Sequence, residues 1–129
     1  MTRLTNPDPL MISLTIPFPP SANSYIRHSR GGHFPTVKAR MFRQAVAEVV
    51  AAAGVRAIAG RLQVTLRLFA PTRQQRDIDN YCKPTIDALM HAGCFADDEQ
   101  IDELHVVRGP ITKGGAVKVL ILARTGEPT

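Results

Sequence analysis

The sequence predicts an α+β protein: a small mixed sheet of about four strands, packed against two main helices, with an antiparallel hairpin at its C-terminal end. Three observations lead there. Residues 62–68 alternate Leu62, Val64, Leu66 and Leu68 with Gln, Thr and Arg, the period of a half-buried strand. Residues 37–53 carry apolar side chains at 41, 42, 45, 46, 49, 50 and 53, the period of a helix with one face turned inward. The segments follow in the order strand, helix, strand, helix, strand, strand, which suits helices laid against a sheet.

Each element has its own signal. Residues 1–9 read as a ragged leader. "LMISLTIPFPP" alternates as a strand until Pro17, Pro19 and Pro20 end it. "SANSYIRHSRGGHFPT" reads as a polar, glycine-bearing loop, and Thr36 can cap the helix that runs to Gly54. The strand around 62–68 leads into a polar approach, "TRQQR". A second helix follows over about 79–92 and stops at Gly93; Pro84 falls at the edge of its first turn, where a missing N–H costs little. "DDEQIDELHVVRGPI" begins as a turn and becomes a strand near 104–111. "TKGG" is a hairpin turn, "AVKVLILAR" closes the sheet, and 125–129 is a tail. There is no internal repeat and no linker, so the 129 residues are expected to form one domain.

Composition narrows the chemistry. Hydrophobic residues make up 44% and aromatics 5%, with no Trp, so the core must be built from Val, Ile, Leu and Ala. No apolar run is long enough to span a membrane, and the N-terminal stretch has no signal-peptide core. Cys82 and Cys94 have neither CxxC nor zinc spacing and sit among apolar residues; they are expected to be buried free thiols in a reducing cytoplasm.

Net charge is +5, from 16 basic and 11 acidic residues, yet the stretch "RDIDNYCKPTIDALMHAGCFADDEQID" holds Asp77, Asp79, Asp87, Asp97, Asp98, Glu99 and Asp102. An acidic pocket inside a positive field is what a metal-dependent enzyme acting on phosphates needs. On a helical wheel Ile78, Cys82, Ile86 and Leu89 form a core stripe, and Asp79, Lys83 and Asp87 form a second row beside it. Plainer roles exist for each acid. Asp77 or Asp79 could cap the helix, Asp79, Lys83 and Asp87 could be i,i+4 pairs, and Asp97 and Asp98 could form a turn. A single cap needs one acid, however, and a second beside it adds repulsion unless a cation offsets it. Three aspartates drawn from these two short segments would suit one or two Mg²⁺ ions, which prefer carboxylate oxygens. Lys83 could stabilise charge on a phosphate; Asn80, Asp87 and Asp97 are supporting candidates.

These residues resemble the RusA-type Holliday junction resolvases, small metal-dependent endonucleases of bacteria and phages. The resemblance rests on "RDIDN", Lys83, "DAL" at 87–89, "HAG" and "DDEQ", and extends to "PFPPSANSYIRH" and "VVRGPITKGG", about 110 residues in all. It implies a homodimer that binds four-way DNA junctions and cuts two strands symmetrically, using Mg²⁺ or Mn²⁺. It implies metal-binding roles for Asp77, Asp79 and Asp98 and an essential role for Lys83, in a cytoplasmic protein of bacterial or phage origin. Arg76, beside Asp77, is the first candidate for DNA contact, followed by Arg73, Arg27, Arg30 and Lys113. Three other readings stand beside this one: a DxD phosphotransferase or phosphatase, a catalytically silent junction-binding protein, and a broader nuclease of branched DNA.

Overall fold

A computed structural model of the chain describes residues 10–29 and 32–124, with the backbone alone at 27–29. The expected leader at 1–9 and tail at 125–129 lie outside the described residues. The strands are β1 (Met11–Ile16), β2 (Ile26–Ser29), β3 (Gly32–Pro35), β4 (Leu62–Phe69), β5 (Ile101–Arg108) and β6 (Ala116–Ala123); the helices are α1 (Val37–Ala53) and α2 (Cys82–His91). Short 3-10 turns occupy Ala22–Ser24, Ile78–Tyr81 and Asp98–Gln100.

The α+β class holds: one sheet of four strands in the order β1-β6-β4-β5, and two helices. β6 is antiparallel to both β1 and β4, while β4 and β5 are parallel, joined by α2 as a β-α-β crossover. The last two strands run antiparallel, as expected, but they do not hydrogen-bond to each other. β4 lies between them, so the expected C-terminal hairpin is split by a third strand. The cause is burial. Leu62, Val64 and Leu66 of β4 and Val117 and Ile121 of β6 are fully buried, so these strands take the centre. β5 carries Asp102, Glu103, His105 and Arg108, side chains suited to an edge. It also begins and ends about three residues earlier than its sequence implies.

The 21–36 segment is not a plain loop. After its 3-10 turn it forms the β2–β3 hairpin, a separate two-stranded sheet closed by the Ser29–Gly32 pair. Thr36 caps α1, its Oγ1 accepting from Ala39 N at 3.1 Å, and Gly54 ends the helix at φ +66°. The buried stripe of α1 is Ala39, Phe42, Val46 and Val50, leaving Met41 exposed. α1 packs on β1 and on α2, and Ile86, Leu89 and Phe95 fill the layer between sheet and helices. No helix among the described residues is long and apolar enough to cross a membrane.

Candidate active site

β4 ends at Phe69, and the chain leaves the sheet through a polar loop. Arg76 fixes that loop: its Nη1 donates to the carbonyls of Thr72 (2.9 Å) and Gln74 (3.2 Å), and its Nη2 donates to Thr72 Oγ1 (3.0 Å). The guanidinium also lies 5.6 Å from the centroid of the Phe18 ring. From β5, Arg108 Nη2 donates to the Arg76 carbonyl at 2.8 Å. Asp77 therefore follows an anchored loop, in extended conformation (φ −88°, ψ 131°).

The expected helix start is a 3-10 turn over Ile78–Tyr81, with α2 proper beginning at Cys82 and buried Pro84 in its first turn. Ile78 packs against the core, and Asp77 and Asp79 flank it, exposed. Asp77 stands at the N-cap position of the turn yet makes no side-chain cap bond. Among the described residues neither carboxylate accepts a hydrogen bond or joins an ion pair. Asn80 is partly buried, its backbone N–H donating to the Asp77 carbonyl at 3.2 Å.

Lys83 and Asp98 do meet. Lys83 Nζ lies 3.0 Å from Asp98 Oδ2, joining the first turn of α2 to the turn before β5. The Lys83 ammonium holds the Asp98 carboxyl below the usual carboxylate range. The expected row of Asp79, Lys83 and Asp87 does not act as an i,i+4 ladder. Lys83 turns to Asp98, and Asp87 turns to the half-buried Arg43, whose Nη2 lies 2.7 Å from Asp87 Oδ2. Tyr25 Oη donates to the same oxygen at 2.5 Å. His91, last residue of α2, has its Nε2 3.5 Å from Asp87 Oδ1. Asp87 thus ties the start of the 25–35 hairpin to both helices.

Asp97 is occupied too. Its side chain accepts from Glu99 N at 2.9 Å, and Gln100 Oε1 accepts from Asp97 N at 3.0 Å, a reciprocal capping box. Gln100 Nε2 donates to the carbonyls of Ile58 (3.0 Å) and Gly60 (2.9 Å), which locks the turn carrying Asp98 to the loop before β4. Sequence reasoning missed Gln100, although D-x-x-Q ahead of an apolar run is a capping-box pattern. It also missed Arg108, which nothing in the sequence separates from other cations.

A groove of about 410 Å³ opens beside Asp77, lined by Arg73, Arg76 and Arg108 among others. Arg73 is exposed there, and Lys113 is exposed in the neighbouring 109–115 turn, which bonds to the same loop through Thr112 N and the Ala70 carbonyl (2.9 Å). Arg27 lies in β2 by its backbone; Arg30 lies outside the described residues. Among the described residues no three His, Cys, Asp or Glu side chains are gathered as a metal cage, so Asp77, Asp79 and Asp98 are not a preformed triad. Their chemistry suits a hard cation all the same: all are carboxylates, two lack partners among the described residues, and the third is an exposed carboxylate paired with Lys83.

The profile of a family described as "Endodeoxyribonuclease RusA" matches residues 17–121, a span that includes every one of these acids. The chain belongs to the RusA family. It is 36% identical over 116 residues to the crossover junction endodeoxyribonuclease RusA of Escherichia coli K12, covering 89% of this chain and 97% of that protein. The protein of the same name from Enterobacteria phage 82 is 35% identical over 115 residues, covering 88% of this chain and 96% of that one. The Shigella sonnei protein is 36% identical over 116 residues, with 89% and 97% covered. The match to the RusA family takes in the strap of prolines at 17–20, the anchored 70–77 loop and the 109–115 turn.

Proposed function

We propose that this chain is an endodeoxyribonuclease that resolves four-way DNA junctions by paired phosphodiester hydrolysis. The observation that carries the reading is the Lys83–Asp98 pair, fifteen residues apart in sequence and 3.0 Å apart in space, four residues on from Asp79, which has no partner among the described residues. Names of the relatives supply the substrate; the arrangement supplies groups able to act on it. Mg²⁺, or Mn²⁺ in its place, would be held by Asp77, Asp79 and Asp98, where such an ion polarises a phosphoryl oxygen and supplies hydroxide near neutral pH. Asp98, whose carboxyl the Lys83 ammonium holds below the usual carboxylate range, would take that role by exchanging the ammonium for the metal. Lys83, exposed at the helix start, can exchange Asp98 for a phosphate oxygen and stabilise the charge that builds there. Arg73 and Arg76 border the acids and offset their repulsion of DNA. Two symmetric cuts suit a two-fold symmetric enzyme, and a homodimer is part of the proposal.

The test is cleavage of a synthetic four-way junction beside a linear duplex of matching sequence, with Mg²⁺ and with EDTA, for wild type and Asp79→Asn. Paired nicks in the junction alone, dependent on metal and on Asp79, are the expected result. Cleavage that survives EDTA or Asp79→Asn would overturn it. A silent junction-binding protein is the second reading, favoured by the absence of a preformed acid triad among the described residues. Tight junction binding without any cleavage in Mg²⁺ or Mn²⁺ would select it.

A further inference from the structure

The two faces of the four-stranded sheet are unlike. Ile12, Leu14, Leu62, Val64, Leu66, Leu68, Val117 and Val119 turn to the helices and are buried. On the other face, residues of β4 and β6 stand in register: Thr65 beside Leu120, Arg67 beside Lys118, and Phe69 beside Ala116. Arg67 and Lys118 are both exposed, and among the described residues neither joins an ion pair or a hydrogen bond. Two like charges directly opposite on neighbouring strands repel. Their flanking partners in the same row are Thr15 of β1 and Val107 of β5, so no acid offsets them.

The opposite end of the same sheet is different. There Arg61 pairs with Glu99 (2.9 Å) and Asp102 (2.7 Å), and Arg124 pairs with Asp102 (3.1 Å) and Glu103 (3.2 Å). Cations are neutralised at one end and left in opposition at the other. At the unneutralised end Phe69 receives both: Arg67 Cζ lies 5.3 Å and Lys118 Nζ 5.6 Å from its ring centroid. The ring edge packs against Gly109, where an added Cβ would come within 2.7 Å of Phe69 Cε1. Gly109 also lines the groove that holds Arg73, Arg76, Arg108 and Asp77. Positive side chains therefore run from the acids around the end of β4 and onto the open sheet face.

We propose that Arg67 and Lys118 bind the phosphodiester backbone of a DNA arm leading away from the site at Asp77, with Phe69 positioning both cations. This inference rests on the reading that the chain acts on DNA, and adds a second contact surface to it. A polyanion laid along this row converts an internal repulsion into paired attraction, and releases counterions as it binds.

The experiment measures junction binding in EDTA by fluorescence anisotropy across a salt series, for wild type, Arg67→Gln, Lys118→Gln and the double variant. Thermal unfolding is followed in parallel, with Arg124→Gln as a control at the neutralised end. Each single change is expected to weaken binding roughly threefold to tenfold at moderate salt and to lower the slope of log K against log salt by about one. Melting temperatures of these variants are expected to stay close to wild type, because the repulsion removed offsets the lost contact with the Phe69 ring. Arg124→Gln is expected to leave the slope unchanged. Unchanged affinity and slope in the double variant, with wild type binding normally, would overturn this inference alone. A wild type that binds no junction would overturn the functional reading and this one with it.

Discussion

Lys83 Nζ and Asp98 Oδ2 stand 3.0 Å apart, one from the first turn of α2 and the other from the turn before β5. Both are substantially exposed, at 71% and 38% of their side-chain surface, so as an ion pair alone they contribute little, about 0–1 kcal/mol. Lys83→Ala is therefore expected to leave the melting temperature nearly unchanged. Single-turnover junction cleavage is expected to fall by roughly 10²–10³-fold, the usual loss when a group stabilising transition-state charge is removed. Equal cleavage by Lys83→Ala and wild type would reduce the pair to surface decoration.

Asp87 is expected to behave in the opposite way. Its Oδ2 accepts from Tyr25 Oη (2.5 Å) and from Arg43 Nη2 (2.7 Å), in a site only 17% exposed at Asp87. Asp87→Ala strands a guanidinium and a phenol together, and is expected to cost about 2–4 kcal/mol in a urea titration, while Tyr25→Phe costs about 1. The cleavage rate per folded molecule is expected to fall far less than in Lys83→Ala.

The contrast between Lys83 and Asp87 also shows what could be read from the chain. Periodicity located β1, α1, β4, α2 and β6, because burying one face is a local pattern of side chains. Thr36 and Gly54 marked both ends of α1 by cap chemistry. Partners across space were another matter. The wheel placed Asp79, Lys83 and Asp87 in one row, but a 3-10 turn through Asp79 breaks the helical register, and both Lys83 and Asp87 found tertiary partners. The insertion of β4 between β5 and β6 was hidden for the same reason: the tight 109–115 connection suggests direct pairing, and only the competition for central, fully buried positions excludes it.

Asp102 supplies a test in acid. Hydrogen bonds from Arg61, then Arg124, hold its carboxyl below the usual range. A depressed folded-state value means that stabilisation is present above the unfolded value, about 4, and is lost as pH falls through the lower folded one. Asp102→Asn is expected to be less stable than wild type at neutral pH, with the two melting curves converging once the pH has fallen below the lowered folded-state value. A gap that persists unchanged into strong acid would show that charge at Asp102 is not what matters.

Gly115 and Gly114 form a matched pair in the turn that bonds to the 70–77 loop. Both have left-handed backbone, φ +70° and φ +84°. A Cβ on Gly115 would also lie 2.9 Å from Phe18 Cβ and 3.1 Å from Pro71 Cδ, while one on Gly114 meets nothing within 4 Å. Gly114→Ala is expected to cost about 1 kcal/mol from backbone strain, and Gly115→Ala about 2–4 with overpacking added. Equal losses in chemical denaturation would mean that the 109–115 turn moves freely away from Phe18.

Cys82 offers a reading of the acids that does not depend on cleavage. Burial, then the negative charge of Asp79, raise its thiol above the ordinary value; burial alone pushes the fully buried Cys94 up to about 12. Thiolate is the reactive form, so at pH 8 Cys94 is expected to resist a water-soluble disulfide reagent until the protein unfolds, and Cys82 to react slowly. A divalent cation held by Asp79 cancels the charge that opposes ionisation of Cys82. Mg²⁺ is therefore expected to quicken Cys82 labelling, by roughly twofold given that burial is the larger cause, and to have no such effect in Asp79→Asn. Labelling indifferent to Mg²⁺ at concentrations that support cleavage would mean that the metal is held away from Asp79.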